Sequence, residues 1–339
     1  MRFRLTENNI PLLATALVCV SLFVAGGLRY EYFATAGNVV SILGVNAFLG
    51  VVAVGMTFVI LSGGIDLSVG SMVALTGIAI GWAVEKHGVH PGAAVPSALL
   101  FGALFGAGMG CLIHFFRLPA FLVTLAGMFL ARGLAFVLSL ESIGYSHPLF
   151  SRASRINLPL WGPDLALPLT AILFLVALAA GVYVAHFTPF GRNVYALGGN
   201  EQSAVLMGLP VGRTKVLVYA ISGFCAALGG VVYSMLTLSA NPLAATEVEL
   251  LAIAAVVIGG TLLTGGVGYV FGTLLGVLIL GIIQSALDFE GTLNAGWTRV
   301  AVGLLLFAFI ALQRLVAWAS GGGAGWLTRR RRGFEVPAR

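Results

Sequence analysis

Long apolar segments recur along almost the whole chain, and they constrain its fold more than any other feature. An α-helix needs about 20 apolar residues to cross the hydrocarbon core of a bilayer. Hydrophobic residues make up 59% of the 339 positions and charged residues only 9%, against about 25% charged in an ordinary soluble domain. The sequence therefore predicts an all-α polytopic membrane protein. Its ten predicted spans are 10–28, 39–62, 69–85, 93–116, 119–139, 166–187, 214–238, 248–263, 266–287 and 297–318.

The basic residues predict how these spans are oriented. Ten spans place both termini on one side, and with the N-terminus inside, twelve of the eighteen arginines and lysines face the cytoplasm. Five face outside, and Arg132 lies within a span. This bias follows the positive-inside rule, so we expect both termini in the cytoplasm. Residues 1–318 are predicted to form one transmembrane domain with a long inner loop at 188–213, and residues 319–339 a basic cytoplasmic tail.

A short glycine pattern occurs twice, each time where an apolar run breaks. Residues 63–70 read GGIDLSVG and residues 259–266 read GGTLLTGG, which share G-G-x-x-L-[ST]-x-G. Five predicted spans lie between the two copies, and an odd number would turn the second copy upside down. Inverted repeats of this kind are common in transporter folds. The pattern therefore predicts an inverted internal repeat, with chance as the competing explanation in a chain of 46 glycines.

Asp66 is an acid placed inside the first glycine break. Asp is a good N-cap, since its carboxylate accepts hydrogen bonds from the free N–H groups at a helix start. We therefore expect Asp66 to cap the helix that follows. A contact to a substrate or partner is the alternative, and a proton-coupling role is a third reading, because acids within membranes are functional candidates. Apart from Glu85, the last residue of the next predicted span, no second acid occurs in the neighbouring spans to support a proton relay.

The loop 188–213 contains the signals of one short helix. Asn200 suits the N-cap, Glu201 the first turn, and Gly208 followed by Pro210 a stop, which predicts a helix over 201–207. A helix this short is marginal in water unless it is docked. We expect it to dock onto a separate cytoplasmic protein, although packing against its own membrane domain is the alternative. The residues predicted to form this contact are Asn200, Glu201, Ala204, Leu206, Met207 and Gly208.

The sequence offers no catalytic or metal-binding motif. A G-x-x-x-x-G-K-[ST] phosphate loop is absent, so the chain is not predicted to bind ATP by that route. Metal-binding His or Cys spacings are also absent, and the three cysteines each lie in an apolar segment, where they are expected to be buried. The net charge of +6 does not predict nucleic-acid binding, because the basic residues lie in short breaks between spans. We expect no catalytic residue, no metal and no cofactor.

Four longer stretches read AVGMTFVILSGGIDLSVGS (53–71), LPAFLVTLAGMFLARG (118–133), FGRNVYALGGNEQSAVLMGLPV (190–211) and VVIGGTLLTGGVG (256–268). Together they resemble the permeases of bacterial ABC monosaccharide importers of the ribose type. The resemblance extends from about residue 8 to about residue 316. Residues 141–143, 147–150 and 288–314 are most similar to a permease of galactofuranose importers.

This resemblance implies a function and a set of partners. The chain would be the permease subunit of an ATP-driven importer in the bacterial inner membrane, with galactofuranose as the first expected sugar and a ribose-type sugar as the next. The implied partners are a second permease, identical or homologous, a cytoplasmic ABC ATPase and a periplasmic sugar-binding protein. In the family, the loop matching 190–211 is a coupling helix that docks into the ATPase. An ion-coupled secondary sugar transporter and a passive channel or scaffold are the competing readings.

Polar residues within the spans are candidates for the sugar path. An uncharged sugar needs hydroxyl and amide groups that exchange hydrogen bonds as it passes. For each Ser or Thr, a bond to a carbonyl of its own helix is an equal alternative. We expect Asn46 and Thr57 in particular to line a central gap. The residues predicted for the path are Asn46, Thr57, Ser62, Asp66, Thr124 and Gln284.

Overall fold

The computed structural model describes residues 10–159, 165–291 and 296–317. The predicted basic tail at 319–339 lies outside these residues. The helices are α1 (Ile10–Arg29), α2 (Ala36–Val45), α3 (Ala47–Leu61), α4 (Val69–Gly81), α5 (Pro91–Phe115), α6 (Ala120–Leu138), α7 (Pro148–Ser154), α8 (Leu169–Phe187), α9 (Pro189–Gly199), α10 (Glu201–Leu206), α11 (Val211–Thr237), α12 (Val248–Ile258), α13 (Val270–Glu290) and α14 (Gly296–Ala317). A π-helical turn (Trp82–Lys86) extends α4, and the short strands are β1 (Ile143–Gly144), β2 (Asn157–Pro159), β3 (Ala166–Pro168) and β4 (Ser239–Ala240).

Among the described residues, seven helices are long and apolar enough to cross a membrane. An eighth span is formed if α2 and α3 count as one, since they meet at a 59° bend. Eight of the ten predicted spans therefore have a matching element. The predicted span 248–263 does not, because α12 has only 11 residues, or about 16 Å of helix. The predicted span 297–318 corresponds to α14, whose apolar part, Arg299–Ala311, is also short.

Helix α11 occupies the centre of the bundle, where it packs on α3, α4 and α5. Its contact with α5 depends on glycines one helical turn apart. A Cβ on Gly102 would lie 2.6 Å from the carbonyl oxygen of Gly223, and a Cβ on Gly106 would overlap the carbonyl oxygen of Tyr219. Small residues at such positions let helix backbones approach closely in membranes.

The far end of α11 is tied to the segment between α6 and α7. Strands β1 and β4 pair antiparallel, with Ile143 opposite Ala240 and Gly144 opposite Ser239. Strands β2 and β3 form a second antiparallel pair. These two-residue and three-residue ladders fix how the chain turns back between the long helices.

Arg132 holds the loop between β4 and α12. Its guanidinium donates from Nη1 to the carbonyl oxygens of Pro242 and Ala244, at 2.7 and 2.8 Å. The loop contains two non-glycine residues with left-handed backbone, Ala245 at φ +55° and Glu247 at φ +69°. Such conformations are uncommon without support from the surrounding structure. Arg132, which lies within a predicted span, thus stabilises this loop by donating hydrogen bonds to its backbone carbonyls.

The two glycine breaks end α3 and α12 in the same way. The N–H of Gly64 donates to the carbonyl of Val59, and the N–H of Thr261 donates to that of Val256. Gly63 and Gly260 adopt left-handed backbone, at φ +81° and +92°, as the residue after a helix does in a Schellman motif. The structural equivalents are therefore Gly63 and Gly260, one residue away from the alignment that the sequence pattern predicted.

The breaks lie side by side, so the predicted inverted repeat is not confirmed. The N–H of Gly266 donates to the carbonyl of Leu61 at 2.9 Å, and a Cβ on Gly265 would lie 2.8 Å from the nitrogen of Gly63. Helices α3 and α12 thus end next to each other. The physical reason is that α12 and the loop before it bring the chain back to the end of α3. The second break therefore lies at the same end of the bundle as the first.

Candidate functional site

Residues 62–68 turn back from the end of α3 into the bundle, where they place a carboxylate before α4 begins. We call them the re-entrant segment. Gly63 lies beside Gly265, just beyond the end of α12, while a Cβ on Gly70 would lie 2.7 Å from the carbonyl oxygen of Ala245, just before α12 begins. The chain from Gly63 to Gly70 therefore runs antiparallel to α12, along its whole length. Asp66 lies in the middle of this segment and is fully buried.

Three hydrogen bonds hold the Asp66 carboxylate. Its Oδ1 accepts from the backbone N–H of Ser68 at 2.9 Å and from the Ser68 hydroxyl at 2.7 Å. Its Oδ2 accepts from the hydroxyl of Ser222, on α11, at 2.7 Å. The prediction that Asp66 is the N-cap was wrong, because Ser68 occupies that position. Asp66 instead closes a turn ahead of the helix and ties the re-entrant segment to α11.

We expect Asp66→Asn to keep the protein near wild-type stability and Asp66→Leu to destabilise it. The amide oxygen can accept from Ser68, and its NH₂ can donate to the Ser222 hydroxyl once that rotor turns. Leucine removes all three bonds and leaves buried donors unpaired, at a cost of about 1–3 kcal/mol each. Thermal unfolding of the purified variants in detergent measures this difference. Equal melting temperatures for the two variants would show that the bonds do not hold the segment.

Helix α10 is capped as the sequence predicted. The side chain of Asn200 accepts from the N–H of Ser203 at 2.8 Å, and Gly208 has the left-handed φ of +74° that a helix stop favours. The helix covers Glu201–Leu206, one residue shorter than predicted. Lys215, on α11, forms an ion pair with Glu201 at 2.7 Å.

The two sides of α10 differ sharply in exposure. Ala204 is fully buried with Leu197 and Val211. The side chains of Val205, Leu206 and Met207 are 57%, 87% and 66% exposed. Packing against its own membrane domain therefore holds for one side of the helix, and docking of the exposed side onto a separate protein stays a prediction. The prediction that Ala204 contacts a partner was wrong, because Ala204 packs against its own chain and is not accessible. Leu206 and Met207 are exposed and remain accessible to a partner.

A cleft of about 920 Å³ opens beside the exposed side of α10. Its walls come from α10, the start of α11, the end of α5 and the first glycine break, with Ser62, Arg117, Gln202 and Tyr219 among them. The hydroxyl of Tyr219 points to the carbonyl of Ile65 at 3.5 Å. The cleft therefore leads from α10 to the re-entrant segment.

Helix α9 contacts both glycine breaks directly. A Cβ on Gly198 would overlap the carbonyl oxygen of Leu61 and would lie 2.5 Å from the nitrogen of Gly266. One turn earlier, the hydroxyl of Tyr195 donates to the carbonyl of Gly268 at 2.8 Å. Burial raises the pKa of Tyr195 to about 12, so the phenol stays a neutral donor at physiological pH.

The hydroxyl groups predicted to line the sugar path donate hydrogen bonds to backbone carbonyls of their own helices. Thr57 donates to the carbonyl of Ala53 and shares a bond with Thr273 at 2.7 Å, fully buried between α3 and α13. It therefore faces no gap in this conformation. Thr124 donates to the carbonyl of Ala120, and Ser62 to that of Val59. Of these three, Ser62 is the one that lines the cleft beside α10.

The two amides lie apart from the re-entrant segment. Asn46 is half-buried at the bend between α2 and α3, where its Nδ2 donates to the carbonyl of Ile42 at 2.9 Å. Gln284 lies in α13 and donates to Asp288 at 2.8 Å. The structure thus places Ser62 in the cleft beside α10, with Asp66 buried four residues further along the chain, and places both amides elsewhere. Gly198 and Tyr195, which were not predicted as site residues, could have been suspected only from the glycine pair at 198–199.

The chain is similar to a known family and to several known proteins over most of its length. Residues 38–310 match the family described as the branched-chain amino acid transport system permease component. The chain is 47% identical to the inner membrane ABC transporter permease protein YjfF of Escherichia coli K12, over 91% of this chain and 93% of that protein. It is 38% identical to the fructose import permease FruG of Bifidobacterium longum (94% and 95%) and 40% identical to the ribose import permease RbsC of E. coli K12 (82% and 86%). No solved structure matches.

Proposed function

Because this chain belongs to the branched-chain amino acid transport system permease family, we propose that it forms the sugar path of an ATP-driven importer. It is a permease subunit of the ribose type and not an enzyme, since ATP hydrolysis belongs to a separate subunit. The multi-pass arrangement and the relative named as an inner membrane permease support a place in the bacterial inner membrane. The exposed apolar side of α10 is the observation that carries the proposal.

The partners follow from the two ends of the bundle. We place α10 and the cleft on the cytoplasmic side, with both termini, as the positive-inside bias favours. The ATPase then docks on Val205, Leu206 and Met207, and the periplasmic sugar-binding protein docks on the opposite side. Residues 1–318 act as one domain beside a second permease, identical or homologous.

Galactofuranose is the sugar that we propose first, and a ribose-type sugar is the next. Relatives named for the import of fructose and ribose support a monosaccharide. Residues 141–143, 147–150 and 288–314, which resemble a galactofuranose permease, support the finer assignment.

Reconstitution tests this function. The chain, its second permease and its ATPase are placed in proteoliposomes, with the sugar-binding protein added outside. We expect ATP-dependent uptake of [¹⁴C]galactose, whose solution contains some furanose form, in preference to [¹⁴C]ribose and [¹⁴C]fructose. A phosphate-loop variant of the ATPase is the control and should abolish uptake. Uptake that persists without ATP or the ATPase would contradict an ABC importer, and a preference for ribose would contradict galactofuranose alone.

A further inference from the structure

Three chain segments meet at Gly198 with no room for a side chain. The carbonyl of Leu61, at the end of α3, and the nitrogen of Gly266, after α12, both lie where a Cβ on Gly198 would be. The same two residues are hydrogen-bonded to each other, since the N–H of Gly266 donates to the carbonyl oxygen of Leu61 at 2.9 Å. Gly198 therefore contacts a hydrogen bond that joins the two glycine breaks.

Tyr195 adds a second contact from the same side of α9. Residues three apart lie on one face of a helix, and the Tyr195 hydroxyl bonds the carbonyl of Gly268 at 2.8 Å. Helix α9 thus touches the second break at Gly266 and Gly268 and the first break at Leu61. Since packed protein interiors are hardly compressible, a displacement of this end of α9 must move both breaks.

The end of α9 is joined almost directly to α10. Asn200 is both the residue that ends α9 and the N-cap of α10, whose first bond runs from the N–H of Ala204 to the carbonyl of Asn200. The two helices are further fixed by the buried cluster of Leu197, Ala204 and Val211. A force applied to the exposed side of α10 therefore reaches Gly198 through a well-packed connection.

The second glycine break has the backbone freedom to change conformation. Within 259–268, four glycines have positive φ: Gly260, Gly265, Gly266 and Gly268. Glycine adopts such conformations and others without steric cost, so this loop can rearrange while α12 and α13 stay intact. The first break continues into the re-entrant segment that carries Asp66.

We propose that Gly198 and Tyr195 are positioning residues, through which a movement of α10 shifts both glycine breaks together. This inference rests on the proposed function, because it assigns the route by which the ATPase acts on the sugar path. The two breaks then move as one unit, which α9 contacts at Gly198 and at Tyr195.

Gly198→Ala and Gly199→Ala form a matched pair for the test. A Cβ on Gly199 meets nothing within 4 Å, so this variant makes the same change one residue away without touching the breaks. For Gly198→Ala we expect uptake, and the stimulation of ATP hydrolysis by the sugar-binding protein, to fall at least about tenfold, which corresponds to roughly 1.4 kcal/mol. The ATPase should still co-purify in the wild-type ratio with its basal hydrolysis unchanged, because the exposed side of α10 is intact. Gly199→Ala should retain wild-type uptake.

Tyr195→Phe is the second variant, and it removes a hydrogen bond without adding volume. We expect it to accumulate normally and to lose a smaller part of both uptake and stimulated hydrolysis. Wild-type transport by Gly198→Ala, or an equal loss in Gly199→Ala, would overturn the inference. If Gly198→Ala does not accumulate, wild-type transport by Tyr195→Phe would overturn it instead. A wild-type complex whose ATPase never responds to the binding protein would overturn the proposed function itself.

Discussion

Leu206→Arg is expected to separate the ATPase from the permease and to abolish uptake. Leu206 is 87% exposed on α10, on the side that we propose docks into the ATPase. A charge buried in such an interface without a partner is costly, and the loss of a central apolar anchor alone costs about 2 kcal/mol or more. That corresponds to at least about thirtyfold weaker binding. Co-purification of the ATPase with tagged permease and uptake in proteoliposomes measure the two effects.

Leu206→Met is the matched control, because methionine keeps the apolar contact at nearly the same volume. It should bind the ATPase and transport as the wild type does. Ala204→Arg should behave differently from Leu206→Arg, since Ala204 lies in the buried cluster with Leu197 and Val211. There the arginine should displace α10 from its own domain and lower thermal stability, which Leu206→Arg should leave unchanged. An ATPase that co-purifies fully with Leu206→Arg would contradict docking at this helix.

Gly106→Leu is expected to prevent the bundle from assembling. A Cβ on Gly106 would overlap the carbonyl oxygen of Tyr219 on α11, and neither backbone can move away without separating α5 from the centre of the bundle. Forcing one extra side chain into packed protein costs about 1–3 kcal/mol or more. We expect the amount of folded protein in the membrane, measured by fluorescence-detected size-exclusion chromatography, to fall severely.

Gly108 supplies the control on the same helix. It is exposed, and a Cβ there meets nothing within 4 Å, so Gly108→Leu adds an apolar side chain to the outside of the bundle. That variant should accumulate like the wild type. Equal losses for both leucine variants would show that the loss does not come from the contact with Tyr219, and normal accumulation of Gly106→Leu would show that α5 and α11 pack differently.

The sequence predicted the apolar helices well because their signal is local. A run of about 20 apolar residues needs no tertiary information, and eight of the ten predicted spans have a matching element. The cap at Asn200 was predicted for the same reason, since its bond to Ser203 lies three residues away. Segment 248–263 failed because a short apolar helix buried among others reads like a membrane span.

The candidate site was harder to predict because its contacts join distant residues. Asp66 stood out in the sequence as an acid within an apolar region. Its hydrogen bond to Ser222 joins residues 156 positions apart, which the sequence does not reveal. The local interpretation as an N-cap was therefore simpler, and it was wrong. The exposed and buried sides of α10 could not be separated in a six-residue helix, where the contact of Ala204 with Leu197 and Val211 decides. Gly198 carries no side chain, and its role depends wholly on which backbone lies beside it.

Helix α11 connects α10 at one end of the bundle with the paired strands β4 and β1 at the other. Only the turn at Met207–Pro210 separates it from α10, and its other end enters β4, which pairs with β1. Its 27 residues make a rod of about 40 Å. If a protein bound near β1 favours one position of this rod, thermodynamic reciprocity requires that a protein bound at α10 change the affinity at β1 by the same factor. Docking of the proposed ATPase on one side of the membrane would then change the affinity for the proposed sugar-binding protein on the other.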